Sequence, residues 1–326
     1  MKRSGGRTPL GLVCVVVLSA VAACLPAALT SSSAFAATRP NDLSTSGARV
    51  ARELPQGLGD REHAALEQAG AFGSKPIRLL IVGDSIALTL GAGLSVQSQP
   101  NYGVSVEDYA TLGCDLDPQL DIREDGSTIP NVQGCSVWRG LWPFLMARLR
   151  PQVVALGLGR WEVTDHLLDG HWVHIGEPVW DRRLTSELEQ AITILHSFGA
   201  RVVLLTMPYI DPSQRQADGQ PYDEDTPARA EAYNALVRQV ARRQPRVVSV
   251  MELNHMLAPG GAYAAAVDGV VVRSSDGIHI SPAGGELLQS EILPGIARLG
   301  LEAEPSVAAA TKAANKIWAA GTRKHG

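Results

Sequence analysis

Three side chains in this sequence have the types and the placement for acyl transfer through a serine. Ser85 stands in "IRLLIVGDSIALTLGAG", directly after an apolar run and directly before a helical pattern. A serine at that junction can cap the helix through its hydroxyl. Held on a turn at the top of a sheet, it can instead act as a nucleophile. Far downstream, "RSSDGIHISPAGGELL" sets Asp276 and His279 three residues apart on a loop. The helix behind that loop can be capped by Ser281, with Pro282 at its first position. The spacing lets the carboxylate turn back onto one imidazole nitrogen and fix its tautomer, leaving the other nitrogen free to take a proton from a hydroxyl. Base and orienting group then come from one loop, and the nucleophile from the far end of the domain.

Such a constellation needs a scaffold that brings chain ends together. From Ile77 onward, short β-rich runs alternate with helical patterns. Ile77–Val82, Val104–Tyr109, Val153–Leu156, Arg201–Thr206 and Val247–Val250 read as strands. Ile86–Val96, Trp138–Leu149, Asp181–Phe198 and Ala228–Arg243 read as the helices between them, with a further short strand at Val267–Arg273 and a last helix over Pro282–Leu299. Alternation of this kind implies an α/β domain, a parallel sheet covered by helices on both faces. Ligands of such sheets bind at the carboxyl ends of the strands. Ser85, Gly113 in "YATLGC", the stretch "GLGRWEVTD" and "MPYIDP" all fall at that edge.

The flanking segments read differently. Lys2, Arg3 and Arg7 precede an apolar run and then "SSSAFAA", so residues 1–37 are expected to be a signal peptide cleaved near Ala36 or Ala37. A competing lipobox, "VAAC", would make Cys24 a lipid anchor; release into a secreted or extracytoplasmic space is the favoured reading, because the apolar run continues past that cysteine. Residues 38–75 read as a linker and a short helix, 76–300 as the domain, and 301–326 as an Ala-rich peripheral tail. With the three basic residues of the leader removed from 29, against 33 acidic ones, the remaining charge is −7. No basic run favours nucleic acid as a partner, and no second apolar stretch would span a bilayer. The sequence says nothing of oligomeric state. Of four cysteines two leave with the leader, and the remaining pair, Cys114 and Cys135, is expected to form a disulfide around a loop without periodicity.

"GDS" after the first strand, with "DxxH" before the last helix, resembles the SGNH (GDSL-type) hydrolase superfamily over about Ile77 to Leu299. The resemblance implies a flavodoxin-like three-layer sandwich with a central parallel sheet, a serine esterase activity and no cofactor or metal. It makes Ser85 the nucleophile, His279 the general base and Asp276 its orienting carboxylate. The backbone N–H groups of Ser85 and Gly113 would hold the oxyanion. One block departs from the family pattern. Where most members carry an asparagine whose amide completes the oxyanion hole, this chain has "GLGRWE". "GRWE", with the "GC…C…W" arrangement, resembles the SGNH domains attached to bacterial membrane acyltransferases that O-acylate cell-envelope polysaccharides. Arg160 could supply the missing donor through its guanidinium, or Trp161 through its indole N–H. Glu162 is then either an ion-pair partner of Arg160 or a supporting group behind it.

The remaining polar and aromatic residues read more plainly. "TDHLLDGHWVH" gathers Asp165, His166, Asp169, His171 and His174, but no metal-binding spacing, so a solvated loop is expected there. Trp138, Trp142, Trp161, Trp172 and Trp180 read as core. Three functions stay open: hydrolysis of an O-acyl ester on a carbohydrate or other small ester, transfer of that acyl group to a glycan hydroxyl, and non-catalytic glycan binding. The complete set of Ser85, Asp276 and His279 argues against the last.

Overall fold

The computed structural model describes residues 57–130 and 135–322. The expected leader with its cleavage site, Cys24 and most of the linker lie outside the described residues. The chain runs through α1 (Asp60–Ala69), β1 (Ile77–Gly83), α2 (Ser85–Leu94), α3 (Ser98–Tyr102) and β2 (Val104–Asp108). Two short strands, β3 (Ile122–Glu124) and β4 (Ser127–Ile129), precede α4 (Trp138–Leu149) and β5 (Val153–Gly157). Another short pair, β6 (Asp165–Leu168) and β7 (His171–Val173), leads to α5 (Pro178–Leu195), β8 (Arg201–Leu205), α6 (Pro227–Arg243) and β9 (Val248–Met251). Last come α7 (Leu253–Leu257), the hairpin β10 (Ala266–Val267) and β11 (Val270–Val271), α8 (Pro282–Leu287) and α9 (Gln289–Thr322).

Five strands pair in parallel in the order β2-β1-β5-β8-β9. Counted along the chain this is 2-1-3-4-5, the flavodoxin-like order, and its direction reverses between β1 and β5. β5 is buried along its whole length and β1 at all but one residue, which is why both read as near-continuous apolar runs. Helix α4 packs on α5 and α5 on α6, while α2 packs on α8 and α9. Right-handed crossovers place these two sets on opposite faces of the sheet. Trp138, Trp142 and Trp180 are fully buried; Trp161 and Trp172 are only partly so.

Two segments expected to be loops are not. β3, β4, β6 and β7 form a second, antiparallel sheet in the order β4-β3-β6-β7. Each of its hairpins turns on an Asp-Gly pair with positive φ at both residues, 49° and 72° at Asp125 and Gly126, 50° and 79° at Asp169 and Gly170. That is the two-residue turn whose twist matches flanking strands. His166, expected in a solvated loop, is fully buried: it stacks on Trp180 at 3.9 Å and places Nε2 3.0 Å from Asp115 Oδ2. Helix α9 continues through the Ala-rich stretch, with Ala303 and Val307 buried.

Cys114 and Cys135 are joined, 21 residues apart in sequence. The crosslink shortens the unfolded chain's accessible conformations, so replacing both by serine should lower unfolding free energy by about 3 kcal/mol. Urea unfolding of the double variant measures this, and mass spectrometry without reductant should find the wild type two hydrogens lighter than its dithiol form. Two free thiols in the purified protein would refute the pairing.

Candidate active site

The site is built at the carboxyl edge of β1 and β5. Gly83 has φ +133°, and a Cβ there would lie 1.8 Å from the Gly157 carbonyl oxygen. Only glycine lets the two strand ends come this close. The Asp84 N–H continues the contact by donating to the Gly157 carbonyl at 2.9 Å. Asp84 then caps α2: its Oδ1 accepts from the N–H groups of Ile86 at 2.9 Å and Ala87 at 3.3 Å. The helix is therefore capped by Asp84, and the hydroxyl of Ser85, its first residue, is free of that task.

His279 reaches that hydroxyl from 194 residues away, with Nε2 2.8 Å from Ser85 Oγ. Its Nδ1 lies 2.6 Å from Asp276 Oδ2, while Asp276 Oδ1 accepts the N–H groups of Ile278 at 2.8 Å and His279 at 3.0 Å. The carboxylate is thus fixed by its own loop, as the three-residue spacing predicts. Partial burial alone would raise the Asp276 carboxyl, but the His279 ring and the two N–H groups outweigh it and hold it below its usual value. The Asp276 and His279 side chains remain 44% and 28% exposed, so the pair is open to a substrate. Behind them Arg273 is buried, donating through Nη1 to the Ile278 carbonyl at 3.0 Å and through Nη2 to the Tyr209 carbonyl. This arginine ties the loop to the segment after β8, and the sequence reading passed it over.

Among the described residues, no protein acceptor takes the Ser85 N–H or the Gly113 N–H. The side chains after β5 divide their roles differently from expectation. Arg160 is only 5% exposed, with Nη1 3.2 Å from Asp225 Oδ1 and Nη2 3.6 Å from Glu124 Oε1. Its guanidinium therefore lies between the short helical turn at Asp225 and the small sheet, with Nη1 buried and making no hydrogen bond among the described residues. Glu162 is not its partner. It is fully buried and accepts the N–H groups of Gly159 at 2.8 Å and Leu116 at 3.3 Å. Burial, with Asp115 and Asp84 nearby, pushes the Glu162 carboxyl well above the usual range. The Trp161 indole N–H is likewise buried without an acceptor among the described residues.

Asp84 carries a stability consequence. Burial raises its carboxyl to about 6, against the N–H groups of Ala87, Ile86 and Arg160 and the charge of His279. As pH rises from about 4, the unfolded chain releases this proton readily and the folded chain retains it until about 6. The stabilisation is complete below the unfolded pKa and lost across that window, at about 1.4 kcal/mol per unit, or ~3 kcal/mol in all. Asn caps helices as well as Asp. Asp84→Asn should therefore remove this decline, and the difference between its unfolding free energy and that of the wild type should grow by ~3 kcal/mol from pH 4 to 6. Asp108 and Asp225, also raised to about 6 chiefly by burial, are present in both proteins and cancel. Parallel stability curves would refute the assignment.

A sheet of order 2-1-3-4-5 with serine, histidine and aspartate joined in series at its carboxyl edge defines a serine-hydrolase type of site. Within that class the chain belongs to the SGNH family: the family model described as "SGNH domain (fused to AT3 domains)" matches residues 51–294. No curated protein sequence matches it. Among solved structures it is similar to a carbohydrate acetylesterase from Sinorhizobium meliloti, at 12% identity over 68% of this chain and 99% of that one, with a TM-score of 0.42. The aryl esterase of M. smegmatis is similar at 12% identity, the same two coverages and a TM-score of 0.42. TesA is similar at 20% identity over 68% of this chain and 99% of its own, again with a TM-score of 0.42.

Proposed function

We propose that this protein is an extracytoplasmic serine esterase that removes O-acyl groups, acetyl above all, from a carbohydrate or another small ester. The single observation that carries the reading is His279 placed between Ser85 Oγ and Asp276 Oδ2, at 2.8 and 2.6 Å. As Ser85 Oγ bonds to the ester carbonyl carbon, His279 Nε2 takes its proton and Asp276 stabilises the imidazolium. The carbonyl oxygen, now negative, meets the N–H groups of Ser85 and Gly113 and the indole N–H of Trp161. The C–O bond to the alcohol breaks, and the alcohol leaves with the proton from His279. Water then adds to the acyl-enzyme, its proton passing through His279 back to Ser85 as the carboxylic acid departs.

The leader reading of residues 1–37 and the family's association with AT3 domains support a location outside the cytoplasm. Among the described residues no helix is long and apolar enough to cross a membrane. The AT3 association also favours a second reading, in which a glycan hydroxyl replaces water as the acceptor. Incubation with p-nitrophenyl acetate and a fluorophosphonate probe tests the esterase reading. Turnover and labelling at Ser85 are expected. A properly folded protein that does neither would leave glycan binding as the function, and acetate transfer to added oligosaccharide in preference to water would favour the acyltransferase.

A further inference from the structure

Beside the triad, between the segment that follows β8 and the loop that leads to His279, lies a cavity of about 530 Å³. Its size falls in the range of small-molecule sites, about 300–1,000 Å³. The side chains that give it a chemical character are Tyr263, Ser274, Ser275, Asp211, Arg215 and Arg273. Asp211 and Arg215 form an ion pair with each other, and the buried Arg273 adds a second guanidinium to the wall. Arg215 is further held by the Gln214 carbonyl at 2.8 Å, which fixes the planar fork in place. Among the described residues no protein group bonds the hydroxyls of Tyr263, Ser274 or Ser275. The half-buried Tyr263 ring rests against the Arg273 guanidinium, 5.6 Å from its centroid.

The cavity wall and the catalytic loop are one piece of backbone. Gly277, next to Asp276, accepts the Asp211 N–H at 2.9 Å. It has φ +74°, and a Cβ there would lie 2.0 Å from the Asp211 carbonyl oxygen. An occupant of the cavity is therefore held at a fixed distance from Asp276 and, through it, from His279. Such an occupant must present hydroxyls that both donate and accept, together with an apolar face for an aromatic ring. Asp211 and Arg215 neutralise each other, and the Arg273 guanidinium adds donors suited to hydroxyl and ring oxygens. A pyranose has this pattern, with polar groups around its rim and C–H bonds on its face; a fatty acyl chain does not.

We propose that this cavity is a sugar subsite, holding a carbohydrate unit next to the one whose acyl ester is cut at Ser85. The proposal rests on the esterase reading and names its substrate as oligomeric glycan. Tyr263→Ala and Asp211→Asn are compared with the wild type on chemically O-acetylated xylo-, cello- and chito-oligosaccharides and on p-nitrophenyl acetate and octanoate, with melting temperature measured alongside. On at least one oligosaccharide, kcat/KM should fall at least tenfold more than on p-nitrophenyl acetate, through KM, with folding intact. Equal losses on both substrates would assign the residues to loop positioning and overturn the subsite. A loss confined to p-nitrophenyl octanoate would make the cavity an acyl-chain site and overturn it as well. To separate this from failure of the esterase reading, Ser85→Ala protein is titrated with the unacetylated oligosaccharides in a calorimeter. Binding weakened at least tenfold by Tyr263→Ala supports the subsite whether or not the wild type hydrolyses esters, and no binding by any member of the panel refutes it.

Discussion

Ser85→Ala should lower ester turnover by about 10⁴-fold or more while leaving the melting temperature unchanged. The hydroxyl is the atom that bonds to the acyl carbon, and nothing else at the carboxyl edge of β1 can replace it. Folding should be spared because the α2 cap is the Asp84 carboxylate, which accepts two helix N–H groups without help from Ser85. His279→Ala should cost about as much, since without a base the hydroxyl keeps its proton, and the double variant should be little worse than either single one. Asp276→Ala should be milder: the imidazole retains its chemistry and loses its orientation. Steady-state hydrolysis of p-nitrophenyl acetate measures all four. A Ser85→Ala enzyme with wild-type rates would mean another nucleophile.

The second large effect separates the two neighbours that the sequence offered as oxyanion donors. Trp161→Phe keeps an aromatic ring and removes the pyrrole part of the indole, with an N–H that has no acceptor among the described residues. A buried donor left unpaired costs about 1–3 kcal/mol, a cost relieved when an oxyanion forms against it. Its loss should lower kcat by about 10²-fold with KM and melting temperature little changed. Arg160→Ala should do the reverse. It leaves the Asp225 carboxylate buried without its guanidinium, and breaking such a pair costs about 3–5 kcal/mol of stability. Kinetics and thermal unfolding on both variants decide the matter. If Trp161→Phe is silent while Arg160→Ala loses kcat at full stability, the guanidinium is the donor after all.

Much of this was legible because it is local or periodic. β1, β5 and β8 are runs buried on both faces and stand out as apolar blocks, while the edge strands β2 and β9 are only partly buried; all five are placed to within a residue or two at each end. The contact between Asp276 and His279 is encoded by their spacing on one loop. The small antiparallel sheet was not found from strand pattern, because three or four residues are too few to show alternation. Its signal was in the turns: Asp125-Gly126 and Asp169-Gly170, like Asp268-Gly269 between β10 and β11, stand between short β-prone segments. Asp218-Gly219 has the same pair without a hairpin, so the dipeptide needs its flanks to be read. The partners of Arg160 are not legible in the sequence for another reason. Glu162 is two residues away in sequence, whereas the carboxylates it meets, Glu124 and Asp225, lie on elements that only the fold brings near. The helix expected over Pro282–Leu299 is divided into α8 and α9, and α9 runs on to Thr322 through both Pro294 and Pro305.

That helix bears on how the enzyme comes into being. α9 packs on β1, where Gly300 sits so close that a Cβ would lie 2.1 Å from the Ile77 side chain. The strand that presents the nucleophile is made early, and one of its faces is sheathed by a segment synthesised more than two hundred residues later. Domains fold as units, and a nascent chain still lacking α9 would carry β1 with apolar surface open to solvent. It would also lack His279 until shortly before α9 emerges. A chain that ends before α9 therefore leaves one face of β1 uncovered, and one that ends before His279 also lacks the partner of Ser85.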